Sequence, residues 1–264
     1  MTSNWLVMRF AGLLVAALFV ALWKAIAVAK LVSPAFLPDP FAAWSALIDG
    51  FGQYELLPRL LLTLEHIFLG WLVASLCGIG AGSLVGVSQA ARIYVAPMFE
   101  IFRPLPAAAL FPVAIAIFGL NETMVIFVIA FGAVWPTVLA TVHGFETVNQ
   151  RLIDVRKMLT MSRWHYVWKI ALPNASSQIL AGMRLSLTYS LVLSVTGEML
   201  SSSDGLGFWI MQQSRAYRAD SLFAGVILFG CIGYLTSRLM TVLERRLLRW
   251  REVGNAALMT PSRP

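Results

Sequence analysis

The sequence predicts an all-α membrane protein of about six transmembrane helices, with a two-helix segment held at one membrane face. Three observations predict it. Hydrophobic residues make up 59% and charged residues only 12% of the 264-residue chain, whereas a soluble domain carries about twice that share of charge. The apolar residues are gathered into runs that suit a bilayer, which a helix crosses in roughly 20 residues. The positive charge is also concentrated. Arg151, Arg156, Lys157, Arg163 and Lys169 against Glu146 and Asp154 give 144–177 a net +3, and Arg245, Arg246, Arg249, Arg251 and Arg263 against Glu244 and Glu252 give the tail another +3, out of +7 in all. Lys and Arg gathered in two segments between or after spans place those segments in the cytoplasm, so the basic balance is topological and gives no support to nucleic acid as a partner.

The first span, about 5–32, has an apolar run from Phe10 to Trp23 with Arg9 at its inner end. Ala27-Val28-Ala29 has the form of a signal-peptide cleavage site, but Trp23-Lys24 is a poor lead-in and the segment reads as an anchor. Ser33 to Glu65, with Pro34, Pro38, Pro40 and acidic Asp39, Asp49, Glu55 and Glu65, is expected outside and to include a short helix near 41–51. The second span, about 66–87, carries Ala74, Gly78, Gly82 and Gly86 at intervals of four. That register lets another helix approach backbone to backbone, so this span should be central.

Arg103-Pro104-Leu105-Pro106 leads into a third span at about 107–120. The prolines leave carbonyls that protein or water must cover, and Arg103 is either a snorkelling anchor or a residue facing a pathway. Asn121-Glu122 makes an outside turn before a fourth span at about 123–142. In the fifth, about 179–200, Gly182, Ser186, Ser190 and Ser194 recur at intervals of four and Glu198 continues the series. Ser190 and Ser194 fit helix packing or a polar route, and Glu198, a carboxylate near the outer end of a span, fits an outer gate. Ser201 to Gly207 is turn-forming, and a sixth span at about 222–242 runs into an arginine-rich tail, 248–264. Both termini are then cytoplasmic, and 57–247 forms a five-helix core.

The 144–177 segment cannot itself cross a bilayer. Phe145, Val148, Leu152, Val155 and Leu159 form one apolar stripe, and Trp164, Val167, Trp168, Ala171 and Leu172 a second. Two short helices are expected, meeting at a turn where Ser162 caps the second and Pro173 ends it. On residue chemistry alone, the segment is either a solvated loop that fixes topology or an element that presents its charges to a partner. Cys77 and Cys231 lie in apolar runs, and His66, His143 and His165 are scattered at span ends or in the 144–177 segment. Neither set has the spacing of a metal or catalytic site, and no phosphate-cradling Gly-x-x-x-x-Gly-Lys-Ser/Thr occurs, so no metal, cofactor or catalytic residue is expected.

Ser162-Arg163-Trp164 and Ile170-Ala171-Leu172-Pro173 resemble the closing half of the EAA loop of inner-membrane permease subunits of binding-protein-dependent ABC importers. Asp154, Val155 and Arg156 stand where that loop has Glu-Ala-Ala, and Thr160 stands at its Gly. Arg103-Pro104-Leu105-Pro106, Gly197-Glu198-Met199, Gly205-Leu206-Gly207 and the leucine-rich, arginine-ended tail are similar to the nitrate/sulfonate/taurine branch. The resemblance implies a type I permease architecture in a bacterial inner membrane. It implies a path formed by two permease subunits, here most simply a homodimer, with an extracytoplasmic binding protein delivering a small, anionic solute. It also implies a separate ATPase subunit that grips the loop. Asp154, Val155, Arg156, Lys157, Thr160, Ser162, Arg163, Ile170, Leu172 and Pro173 would make that contact. Thr160 in place of Gly disfavours a left-handed turn. The competing reading is an ion-driven secondary transporter or channel subunit, which usually buries paired ionisable groups near mid-membrane, where these spans carry almost none.

Overall fold

The computed structural model describes residues 3–53, 56–148, 152, 154, 158–201 and 204–248, and these are helical with no strand among them. Val155, Arg156, Lys157 and the tail from 249 onward lie outside the described residues. The helices in chain order are α1 (Ser3–Val28), α2 (Pro40–Gly52), α3 (Leu56–Val87), α4 (Gln89–Phe102), α5 (Phe111–Phe118), α6 (Glu122–Glu146), α7 (Arg163–Tyr166), α8 (Leu172–Leu200), α9 (Leu206–Arg215) and α10 (Ala219–Leu247). α2 is the short helix expected near 41–51. Asp39 starts it by accepting the Phe41 N–H at 2.8 Å, with Pro40 in the first turn, where it has no hydrogen bond to lose.

α3, α6, the helical run from Trp164 to Leu200 and α10 are each long and apolar enough to cross a membrane, and α1 contributes the shorter apolar stretch Leu14–Val28. The third expected span departs from a single helix over 107–120. A 3-10 turn at Ala107–Leu110 leads into α5, and this stretch is bent by 84° from α4, so the two together form a broken span or a re-entrant turn. Pro104 and Pro106 withhold two amide hydrogens where α4 ends, and Pro106 is extended (φ −66°, ψ 115°). Arg103 caps α4, its N–H bonded to Phe99 O at 2.9 Å, and its side chain is exposed at the bend.

Contacts divide the chain into two compact units, Met1–Leu62 with Asp204–Cys231, and Thr63–Ser203 with Ile232–Pro264. Within the first, Trp23 Nε1 donates to Pro38 O at 3.0 Å, and Lys24 Nζ lies 4.4 Å from the Phe41 ring centroid. The cation that interrupts the first apolar run is therefore covered by an aromatic face.

In the second unit α6 is the central helix. A Cβ on Gly82 of α3 would stand 2.6 Å from Thr141 Cβ and 2.8 Å from Val138 O, and one on Gly182 of α8 would stand 2.4 Å from Ala140 Cβ and 2.8 Å from Pro136 O. Both neighbours thus approach the α6 backbone at distances only glycine permits, as the four-residue registers predict. Phe111 and Ala114 of α5, Met124, Val125, Val128 and Ile129 of α6, and Leu193 of α8 close the core on one side. On the other face of α8, Leu185, Tyr189 and Val192 are exposed, as are Tyr234, Leu235 and Leu239 of α10. Apolar residues suit such faces where the surroundings are lipid tails or another helix.

Candidate functional site

Glu198 extends the small-residue register of α8, so it points the same way as Gly182, Ser186, Ser190 and Ser194, all of which are buried. The serines bond to backbone. Ser186 Oγ donates to Ala133 O of α6 at 2.6 Å, Ser190 Oγ to Ser186 O at 3.0 Å and Ser194 Oγ to Leu191 O at 3.0 Å. Ser190 and Ser194 are 0% exposed, which is the enclosure that close helix packing requires.

Glu198 is held by two side chains of α3. Thr63 Oγ1 donates to Oε2 at 2.9 Å, and His66 Nδ1 lies 2.9 Å from Oε1. Thr63 and His66 are three residues apart and so share a helix face. With Thr63 at 0%, His66 at 1% and Glu198 at 0% exposure, the cluster is dry. A buried carboxyl group in such surroundings needs hydrogen-bond partners, and Thr63 and His66 supply them. His66 Nε2 is enclosed and has no hydrogen-bond partner among the described residues. Sequence reading singled out Glu198 but missed His66, because the two stand 132 positions apart. The available signal was the Thr63-x-x-His66 spacing at the head of an apolar span.

The 144–177 segment folds back on the bundle. Phe145, Val148, Tyr166, Ala171, Ala175 and Ile179 form a buried cluster, with Leu152, Ile170 and Leu172 packed against it beside Ile79 and Val87 of α3. Leu152, Asp154 and Met158 are helical, a turn follows at Leu159 and Thr160, and α7 starts at Arg163. Ser162 caps α7 as expected, its Oγ accepting the His165 N–H at 3.3 Å. Asp154, Met158, Leu159, Thr160 and Ser162 are exposed. So are Trp164 and Trp168, whose rings meet edge to face at 5.5 Å.

Two expectations about this segment are corrected. Thr160 adopts the left-handed turn that its side chain disfavours, at φ 46°. A β-branched residue there is a genuine outlier, held between Val148 and Leu152 on one side of the turn and Tyr166 and Ile170 on the other, which pack into the same cluster. Pro173 does not end the second helix. It lies in the first turn of α8, and Val167–Ala171 forms a π-helical turn that joins α7 to α8, so the chain runs helically from Arg163 to Leu200. Leu172 N–H bonds to Val167 O, five residues back. The wider turn makes room for Pro173, whose ring would clash with a carbonyl of a regular α-turn.

Among the described residues, two further ion pairs involve exposed or half-buried groups. Arg92 Nη1 of α4 lies 3.3 Å from Glu146 Oε1 of α6. Arg184 of α8 pairs through Nη2 with Glu244 of α10, and both are partly buried. No cluster of His, Cys, Asp and Glu among the described residues could hold a metal ion.

Comparison with known proteins agrees with this arrangement of helices. Residues 66–249 match the family model described as "Binding-protein-dependent transport system inner membrane component". SsuC of Bacillus subtilis (strain 168), a protein named for aliphatic sulfonates transport as a permease, is 34% identical over 91% of this chain and 87% of its own. The taurine transport system permease protein TauC of Escherichia coli (strain K12) is 30% identical over 89% and 87%. The nitrate import permease protein NrtB of Leptolyngbya laminosa is 28% identical over 78% and 76%. Among solved structures, a chain of the inward-facing MetNI methionine ABC transporter superposes with a TM-score of 0.67 at 20% identity, over 74% of this chain and 97% of that one, and shows the fold.

Proposed function

The chain belongs to the family of binding-protein-dependent transport system inner membrane components and is a membrane-embedded permease subunit; from that premise we propose that it forms, with a second permease copy, the path of an ATP-driven importer for a small anionic solute of the sulfonate, taurine or nitrate type. The sulfonate, taurine and nitrate names of its relatives support the solute class. An ATPase subunit grips the 151–173 segment, a binding protein delivers solute at the opposite face, and the 144–177 segment and both termini are cytoplasmic, as the clustering of Lys and Arg supports. Glu198, held by Thr63 and His66, closes the path at its outer end, with Arg103 at the bend between α4 and α5.

One observation carries this reading: the exposed tryptophan-bearing segment is helically continuous with α8, which ends at the Glu198 cluster. Force applied at the cytoplasmic segment reaches the gate through one element, without crossing a flexible linker. Exposed aromatics beside cations are also the composition of a protein-binding hot spot.

The test is co-purification. Wild-type chain expressed with the neighbouring ATPase is expected to retain it in mild detergent, whereas Trp164→Asp, at a residue 69% exposed, is expected to lose at least about tenfold of it while inserting normally, since hot-spot aromatics contribute about 2 kcal/mol or more. Full retention by the variant would count against docking at this segment. The enclosed His66–Glu198 pair is the kind of group an ion-driven carrier uses, but family membership selects the ATP-driven reading.

A further inference from the structure

A notch of about 70 Å³ opens between α8 and α10, lined by Arg184, Leu187, Thr188 and Leu191 on one side and Gly233, Thr236 and Ser237 on the other. It is separate from the Glu198 cluster and from the 151–173 segment. Its floor is cationic. Arg184 gives one guanidinium nitrogen to Glu244, while its Nε is enclosed and has no hydrogen-bond partner among the described residues. Its walls carry three hydroxyls. Thr236 Oγ1 donates to Ile232 O at 2.8 Å, and Thr188 Oγ1 reaches Arg184 O at 3.3 Å, near the limit of a hydrogen bond. The Ser237 hydroxyl makes no hydrogen bond among the described residues, so its proton is available. Glu244 takes only one guanidinium nitrogen, and the Arg184 side chain keeps 37% of its surface exposed, so the outer part of the guanidinium can still donate to an oxygen acceptor in the notch.

We propose that this notch binds a tetrahedral oxyanion, a sulfonate or a phosphate, through Arg184 and Ser237, with Thr188 turning its proton towards the anion. The guanidinium and the Thr188 and Ser237 hydroxyls line a space that, at about 15 Å³ per water, holds roughly five waters, room enough for an anionic headgroup. Glu244 limits the strength of the site because it already neutralises part of the Arg184 charge, which suits transient occupation of a path more than tight storage. The sulfonate could come from the transported solute, a source that rests on the function proposed above, and the phosphate from an anionic lipid of the inner leaflet.

Full-length chain in phosphatidylcholine nanodiscs would be titrated with ethanesulfonate and with inorganic phosphate, read by calorimetry. In discs containing phosphatidylglycerol, retained lipid would be counted by native mass spectrometry. Ethanesulfonate or phosphate binding that weakens about tenfold in Arg184→Gln and about fivefold in Ser237→Ala is the expected result, matching the loss of a charged and a neutral hydrogen bond. Phosphatidylglycerol retained by the wild type and lost in both variants, with no binding of the soluble anions, would identify the lipid as the source of the same chemistry.

Arg184→Gln also strands Glu244, so the decision rests on two variants that leave the ion pair alone. Ser237→Ala removes only a hydroxyl, and in Gly233→Ala the new methyl meets only Leu191 Cδ1, at an ordinary 3.6 Å. Binding unchanged in these two, or no anion bound and no lipid retained by the wild type, would overturn the proposal. Neither result bears on the permease reading, whose own test is ATPase co-purification.

Discussion

Glu198 and Arg184 stand on the same helix fourteen positions apart, and each pairs with an ionisable residue of another helix, yet their surroundings differ completely. The Glu198–His66 contact is at or below 1% exposure on both sides, whereas the Arg184 and Glu244 side chains keep 37% and 25% of their surfaces exposed. The first pair has given up its hydration and depends on its partners. The second is still wet enough to exchange partners. In the roles proposed above, the first pair is the contact that stays shut until it is pulled apart and the second the one that a passing anion can enter.

Breaking the dry pair should have the largest effect. Glu198→Leu removes the partner of His66 and one hydrogen-bond acceptor of Thr63, and a loss of about 3–5 kcal/mol in reversible unfolding from mixed micelles is expected. Replacing all three residues with apolar ones of similar size should restore most of that stability while impairing solute uptake. Stability of Glu198→Leu within about 1 kcal/mol of wild type would erase the contrast between the pairs.

The strained turn at the other end of the same helical run sharpens the contrast from the opposite side. Thr160→Gly relieves a left-handed residue and should stabilise the fold by about 1–2 kcal/mol, with slower hydrogen exchange at 158–166 as the readout. No gain would mean that the turn is not strained.

Breaking the wet pair should have the smallest effect. Glu244→Gln is expected to change stability by less than about 1 kcal/mol, and that small difference should shrink further between 0.05 and 0.5 M salt, as screening of a half-exposed pair requires.

Much of this was legible in the sequence because lipid leaves few choices. The registers Ala74-Gly78-Gly82-Gly86 and Gly182-Ser186-Ser190-Ser194 announced helices that approach a neighbour's backbone, and the stripes from Phe145 to Leu172 announced a segment lying on the bundle. Ser162 was readable as a cap because capping is local. Three features were not readable. Pro173 looked like a stop because the proline rule does not say that a π turn can absorb the ring. Pro104 and Pro106 marked a perturbation, but not that it would bend the third span by 84°. The pairing of His66 with Glu198 is a long-range contact that no periodicity encodes.

The unbroken helix from Trp164 to Leu200 has a mechanical consequence. Thirty-seven residues at about 1.5 Å each make a rod of about 55 Å. Tilting it by about 5° around its midpoint displaces each end by roughly 2–3 Å. The bonds from Thr63 and His66 to Glu198 are 2.9 Å long, so a swing too small to disturb the packing along most of the rod is enough to part them. Geometry places the Glu198 contact close to one of the two points of largest displacement on the shaft.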